Sequence, residues 1–298
     1  MKQRSDFTSW QKQAQTYTEQ TLIRLLPPAS QLPAPLIEAM HYAMLDGGKR
    51  LRPMLVLAAA ELGNAIKEAV DYALAAVECI HIYSLVHDDM PEMDNDSLRH
   101  GKAACHIQYT PATALLVGDA LQSMAFSLLS QPTSLAATRQ LHMIQTLAQA
   151  AGCNGMAGGQ AIDLAHVGLS LNQTELERMH QLKTSALIRA AVTLGGLCCQ
   201  DIDQQALTAL DNYATHLGLA FQVIDDVLDY EQDSHILGKT AGKDAQANKP
   251  TYVSLMGLTT ARQYAENLVQ KAIDALAGFD QRAVHLRSLA QFVVARNY

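Results

Sequence analysis

Two aspartate clusters, Asp88-Asp89-Met90-Pro91-Glu92-Met93-Asp94 and Asp225-Asp226-Val227-Leu228-Asp229, stand far apart in the chain, each near the end of a long apolar stretch. Paired carboxylates about 4 Å apart repel by roughly 4 kcal/mol at an effective dielectric near 20, so such clusters call for a cation to share. Oxygen-only ligands of this kind suit Mg²⁺, which bridges one or two carboxylates to phosphate oxygens and keeps some of its waters.

Helical spacing sharpens both clusters. His81, Ser84 and Asp88 fall at i, i+3 and i+7 and share a face. Pro91 must end that helix, which lets Asp94 fold back toward Asp88. Acid at a helix C-terminus opposes the macrodipole, so a merely solvated acidic end is energetically poor. In the second cluster Gln222, Asp225 or Asp226, and Asp229 stack as a polar stripe, while Val223, Ile224, Val227 and Leu228 must pack inward. The complementary charge is present too. Gly47-Gly48-Lys49-Arg50-Leu51-Arg52-Pro53 gathers cations at a helix–helix corner, with Pro53 expected at the first position of the next helix. Spare N–H groups there, forked Arg donors and a Lys point charge together make an anion site suited to phosphate. Arg99, His100 and Lys102 follow the first cluster, Lys183-Thr184 interrupts an apolar helix, and Lys239, Lys243 and Lys249 lie in a polar segment. Gln160 and Asp163, in a glycine-rich helical stretch, are candidates to support the site from behind. His41, His87, His166 and His216 are expected to be surface or satisfied core residues.

The elements that must position these groups are helices. Apolar periodicity predicts them near 5–26, 35–46, 53–64, 67–90, 112–130, 134–150, 154–165, 173–199, 203–231, 258–276 and 280–296. Pro27-Pro28, Gly47-Gly48, Pro111 and Pro132 punctuate them, and 232–250 is expected to be a mobile polar flap. No strand-like alternation and no linker appears, so the expectation is one all-α domain over 1–298. With 49% hydrophobic but only 5% aromatic residues, the composition favours packed helices over a β-sandwich. A net charge of −7 argues against a general nucleic-acid surface. Cys79, Cys105, Cys153, Cys198 and Cys199 lack metal-type spacing and are expected to be buried free thiols of a reducing compartment. The N-terminus has no apolar signal core, and no run approaches a membrane span, so a soluble cytoplasmic protein is expected.

These residues match a known pattern over nearly the whole chain. Gly47–Pro53 (GGKRLRP), Glu78–Asp94 (ECIHIYSLVHDDMPEMD), Gly155–Leu164 (GMAGGQAIDL), Lys183-Thr184, Gly218–Asp229 (GLAFQVIDDVLD), Leu237-Gly238-Lys239 and Arg296-Asn297 resemble the trans-isoprenyl diphosphate synthases, most closely the bacterial farnesyl type. The resemblance implies an isoprenoid-synthase helical bundle with a deep central cavity, a homodimer and a trinuclear Mg²⁺ site. It implies head-to-tail condensation of dimethylallyl or geranyl diphosphate with isopentenyl diphosphate. By the same resemblance Asp88, Asp89, Asp94, Asp225, Asp226 and Asp229 hold Mg²⁺. Arg99, Lys183, Lys239 and Lys249 contact the allylic diphosphate, and Gly48, Lys49, Arg52 and His81 contact that of isopentenyl diphosphate. Thr184 and Gln222 turn oxygen dipoles toward a developing carbocation.

The chain departs from the family pattern at His100, where a second Arg is usual before Gly101; a weaker hold on isopentenyl diphosphate is the expected result. Tyr83, five residues before Asp88, lies about 7.5 Å along the helix from it. With Ser84 it stands where the family places its chain-length floor, and Asp-Asp-x₄-Asp with an aromatic there implies a fifteen-carbon product. An ideal helical wheel, however, turns Tyr83 away from the Asp88 face. Rival readings are a geranylgeranyl or geranyl diphosphate synthase of the same fold, or a non-catalytic diphosphate-binding partner subunit.

Overall fold

Periodic apolar residues decide which face each helix turns inward, and two helices have almost no polar face to offer. The computed structural model describes residues 2–45, 47–166, 171–233 and 251–295. The chain runs α1 (Lys2–Leu25), α2 (Ala34–Met44), α3 (Leu51–Ala60) and α4 (Lys67–Asp88), then the short strands β1 (Leu98–Arg99) and β2 (Lys102–Ala103). It continues through α5 (Cys105–Gln108), α6 (Pro111–Leu129), α7 (Ala137–Ala151), α8 (Met156–Ala165) and α9 (Gln173–His180). A π-helical turn (Gln181–Ser185) leads into α10 (Ala186–Leu197) and α11 (Gln204–Asp233). After α12 (Tyr252–Met256) and α13 (Leu258–Ala275), α14 (Val284–Ala295) is the last described element.

The two apolar helices, α4 and α10, bury side chains on every face, which belongs inside a bundle. α4 packs against α3, α6 and α10; α10 packs against α3, α7 and α11; α11 is covered by α13 and α14. α1 is tied to α4 through buried Asp71, which accepts from the Tyr17 hydroxyl, from Arg24 Nη2 at 2.8 Å and from Lys67 Nζ at 2.7 Å. α6 starts where Thr110 Oγ1 accepts from the Thr113 N–H at 3.0 Å, with Pro111 at the first helical position. The expected all-α fold is the observed one.

Local details differ from the sequence expectation. The helix expected over 173–199 is broken by the π turn, and the short helices α5 and α12 were not expected. Leu98-Arg99 pairs antiparallel with Lys102-Ala103, a tight hairpin whose turn residues, His100 at φ 51° and Gly101 at φ 77°, carry no hydrophobic alternation to betray it. α3 begins at Leu51 rather than Pro53, so Pro53 is third in the helix, still within the turn whose N–H groups have no helical acceptor. Cys153 is exposed, whereas the other four thiols are buried as expected. By length and composition α4 and α6 are apolar enough to cross a membrane, contrary to the expectation. α4 is a core helix carrying buried Asp71 and Glu78, while α6 leaves Leu115 and Leu116 exposed.

Candidate active site

α4 delivers Asp88 at its last turn. Beyond it the chain reverses: the Asp94 N–H donates to the Asp88 carbonyl at 2.9 Å and the Asp96 N–H to that of Asp89 at 3.1 Å, with Asn95 at φ 50°. Asp94 therefore returns beside Asp88, as Pro91 led one to expect. Burial pushes the Asp88 carboxyl up to about 6, opposed by Lys183 and reinforced by Asp94. Asp89 is engaged differently. It is buried and clasped by Arg99, whose Nε lies 3.0 and 3.2 Å from its two oxygens.

The opposite wall stands on α11, where Asp225 and Asp229 form one stripe and Gln222 and Asp226 the adjacent one. Asp226 is buried. Its Oδ1 accepts from Gln222 Nε2 at 3.1 Å and its Oδ2 from the Tyr252 N–H at 2.8 Å. Gln222 Oε1 in turn accepts from Thr184 Oγ1 at 3.0 Å. The neighbouring Lys183 Nζ donates to Asp163 Oδ2 at 2.6 Å. Burial works against the Lys183 ammonium, but Asp163, then Asp88 and Asp94, outweigh it and hold its pKa above the ordinary lysine value. Adjacent residues of one π turn thus engage opposite acidic walls. Such turns add a residue to the helical repeat and re-aim side chains, and they cluster at functional sites. Two glycines make room for this one: a Cβ on Gly159 would fall 2.1 Å from the Lys183 nitrogen, and one on Gly218 2.6 Å from Ser185 Cβ.

At the basic corner lies a pocket of about 220 Å³ whose lining includes Gly48, Lys49, Arg52, His81, His100 and Phe221. The three cations of the corner divide their work. Arg50, at φ 53° before α3, is consumed internally, with Nη1 on Glu78 Oε1 at 2.7 Å, Nε on Glu19 Oε1 at 2.7 Å and Nη2 on the Met44 carbonyl at 2.6 Å. Arg52 Nε, by contrast, is buried without an acceptor. Burial lowers the Arg52 pKa, with Glu78 and Asp225 opposing, so this guanidinium also feels the second acidic wall. Burial, then Arg52 and His100, hold the His81 pKa well below the ordinary value. His100 lies against the glycine corner, where a Cβ on Gly47 or Gly48 would stand 3.1 or 3.3 Å from its ring. Its pKa is lowered by burial and then by Arg99 and Arg50. Crowded bases with depressed affinity for protons describe a place prepared for an anion.

The remaining expected residues are sorted by the fold. Tyr83 is buried near Gln122 of α6, with its ring edge-on to His87 at 5.8 Å, so it sits on the α6 side of α4. Ser84 Oγ donates to the His81 carbonyl at 2.8 Å. Lys239 and Lys249, most of the expected flap and the Arg296-Asn297 tail lie outside the described residues. Sequence reasoning missed Glu78, Phe221 and Phe292. Glu78 was detectable, being a lone carboxylate in an apolar run three residues before His81; the two aromatics join the pocket only through the meeting of α11 and α14.

Among the described residues no three acidic, imidazole or thiol groups converge closely enough to cage an ion unaided. Asp88 and Asp94 after α4 and Asp225 and Asp229 on α11 nevertheless offer only oxygen donors. The raised Asp88 pKa reflects burial, with Lys183 and Arg99 opposing it and Asp94 and Asp89 adding to it. Mg²⁺ would suit such donors, since it takes oxygen ligands, commonly one or two carboxylates together with phosphate oxygens.

Known proteins resemble this chain in sequence and in fold. The chain is 47% identical over 266 residues to the farnesyl diphosphate synthase of Haemophilus influenzae, covering 88% of this chain and 89% of that one. It is 45% identical over 283 residues to the farnesyl diphosphate synthase of Escherichia coli, covering 93% and 95%. Its fold superposes on a solved FPP/GFPP synthase of Zymomonas mobilis with a TM-score of 0.86 at 39% identity, covering 97% and 99% of the two chains. Residues 33–285 match the polyprenyl synthetase model; with two acidic clusters joined by one π turn and a basic pocket lined by Arg52 and His81, this chain belongs to the polyprenyl synthetase family.

Proposed function

We propose that the protein is a Mg²⁺-dependent prenyltransferase that condenses dimethylallyl and then geranyl diphosphate with isopentenyl diphosphate, releasing pyrophosphate and (2E,6E)-farnesyl diphosphate. The observation that carries the reading is Arg52, a half-buried arginine whose Nε is buried without an acceptor, in a basic pocket where its guanidinium feels Asp225 of the second acidic cluster. That arrangement supports two diphosphate sites around one reaction centre. In this reading Asp88, Asp94, Asp225 and Asp229 hold Mg²⁺, trinuclear in the family resemblance, and the bound metal supplies the charge that stabilises departing pyrophosphate. Arg99, Lys183, Lys239 and Lys249 bind the same group. Gly48, Lys49, Arg52, His81 and His100 hold isopentenyl diphosphate with its double bond toward the allylic carbon. Thr184 and Gln222 face the developing cation with oxygen, and apolar packing from α4, α10 and α11 keeps water from quenching it. The expelled pyrophosphate takes the final proton, so no protein base is required.

The exposed Leu115 and Leu116 of α6, with Ile107 nearby, suit an apolar contact with a second copy, which supports a homodimer. The reading places the enzyme in the cytoplasm. Its test is incubation with dimethylallyl and isopentenyl diphosphates and Mg²⁺, followed by chromatography of the dephosphorylated product. Farnesol is the expected main product; a twenty-carbon alcohol would favour a geranylgeranyl synthase, and no condensation would refute the activity.

Two single side chains carry expectations of smaller size. Tyr83→Ala opens the space between α4 and α6 and is expected to add at least one five-carbon unit to the product; farnesol alone from that variant would remove Tyr83 as the floor. His100→Arg replaces a base of lowered pKa with a permanent forked cation. The KM for isopentenyl diphosphate is expected to fall about 3- to 10-fold, roughly 1 kcal/mol, and an unchanged KM would mean that His100 does not touch that substrate.

A further inference from the structure

We infer that Asp226, although it belongs to the second acidic cluster, is a positioning residue that sets the orientation of the Gln222 amide rather than a ligand of the metal. The inference rests on the prenyltransferase reading and deepens it. An amide side chain can present either its oxygen or its NH₂ to a neighbour, and the two poses are nearly the same shape. A carboxylate can only accept. Because Asp226 Oδ1 lies 3.1 Å from the amide of Gln222, the NH₂ must turn to it. The carbonyl oxygen Oε1 is then forced to the far side, where it accepts from Thr184 Oγ1 at 3.0 Å. That donation commits the Thr184 proton to Gln222, so the remaining hydroxyl lone pairs point elsewhere. The second Asp226 oxygen is held by the Tyr252 N–H at 2.8 Å, at the first residue of α12, so the carboxylate cannot rotate without breaking that bond as well.

The direction of this relay matters for a cation. With Asp226 ionised, oxygen atoms of both Gln222 and Thr184 are available at the π turn between the acidic walls. With the amide reversed, two N–H donors would point where positive charge develops, and the preorganised field would change sign. Asp225 and Asp229, on the adjacent stripe of α11, are left as this cluster's candidates for the metal. The two types of carboxylate alternate because a helix places successive residues about 100° apart.

The test compares Asp226→Asn with the double variant Gln222→Glu/Asp226→Asn. A single asparagine can accept from only one of the two donors, whereas the double variant rebuilds every bond with the charge moved. In the double variant the Thr184 hydroxyl and the NH₂ of the new asparagine both donate to the new glutamate, and the Tyr252 N–H donates to the asparagine oxygen. For Asp226→Asn, kcat is expected to fall about 100-fold, with substrate KM values and Mn²⁺ affinity, measured by direct titration with inorganic pyrophosphate, within twofold of wild type. The double variant is expected to recover at least about tenfold of the lost kcat and to regain the lost thermal stability. A tenfold or greater loss of Mn²⁺ affinity in Asp226→Asn would make Asp226 a metal ligand and overturn the inference. A double variant no faster than Asp226→Asn would overturn it as well. Wild-type condensation is measured in the same series: its absence sinks the prenyltransferase reading and this inference together, whereas either result above, with an active wild type, sinks this inference alone.

Discussion

Asp88→Asn is expected to lower turnover by at least about 10³-fold at saturating Mg²⁺ while making the metal-free protein more stable at neutral pH. Both effects come from one carboxylate, whose pKa burial lifts to about 6 against the pull of Lys183, with Asp94 adding to the rise. In the unfolded chain the same group titrates near 3.9. The native state therefore binds the proton more tightly than the unfolded state, and this group's contribution to stability is complete below about pH 4 and lost as pH rises through about 6. At pH 7.5 the wild type carries a strained, ionised Asp88, and asparagine removes that strain. The gain is about 1–2 kcal/mol after allowing for partial exposure, and it should vanish near pH 4. Thermal unfolding in chelator at both pH values measures the stability half; pyrophosphate release measures the other. A turnover loss below tenfold, or a variant less stable than wild type at pH 7.5, would contradict this account of the acidic wall.

Arg52→Met is expected to raise the KM for isopentenyl diphosphate by about 100-fold, equivalent to the roughly 3 kcal/mol of a strong charge-assisted contact. The KM for the allylic substrate should move by less than threefold. Removing a buried arginine usually destabilises a protein by stranding its partners, but Arg52 Nε is buried without an acceptor to strand. Methionine fills the same length without a charge to desolvate, so thermal stability is expected to hold or rise. Arg50→Met is the contrast: it strands Glu78 and Glu19 at one stroke and should unfold the corner between α1, α3 and α4. If Arg52→Met raises the allylic KM instead, the two diphosphate sites have been assigned the wrong way round.

The two arginines also mark how far sequence could reach. Lys49-Arg50-Leu51-Arg52 reads as an anion corner, and within it only the family resemblance, not the local residue types, singled out Arg52 over Arg50. Their difference is made by Glu78, twenty-eight residues away from Arg50 on α4, and by the left-handed Arg50 backbone that turns one guanidinium inward. The π turn was hidden for a similar reason. Nothing in Gln181–Ser185 breaks helical periodicity; the inserted residue is tolerated where Gly159 and Gly218 allow α8 and α11 to approach its backbone closely.

What the sequence determined by itself was the helical architecture, the two acidic clusters and the basic corner, because apolar period, charge and Pro or Gly punctuation act over a few residues. What only the tertiary structure decided was which partners two of the six aspartates meet. Asp89 is taken by Arg99, and Asp226 by Gln222 and the start of α12. The Asp88 carboxyl is lifted to about 6 by burial, with Lys183 and Arg99 opposing the rise at a distance rather than clasping it. A carboxylate's role depends on whether its lone pairs are already filled, and the donors that fill them arrive from segments far away in the chain.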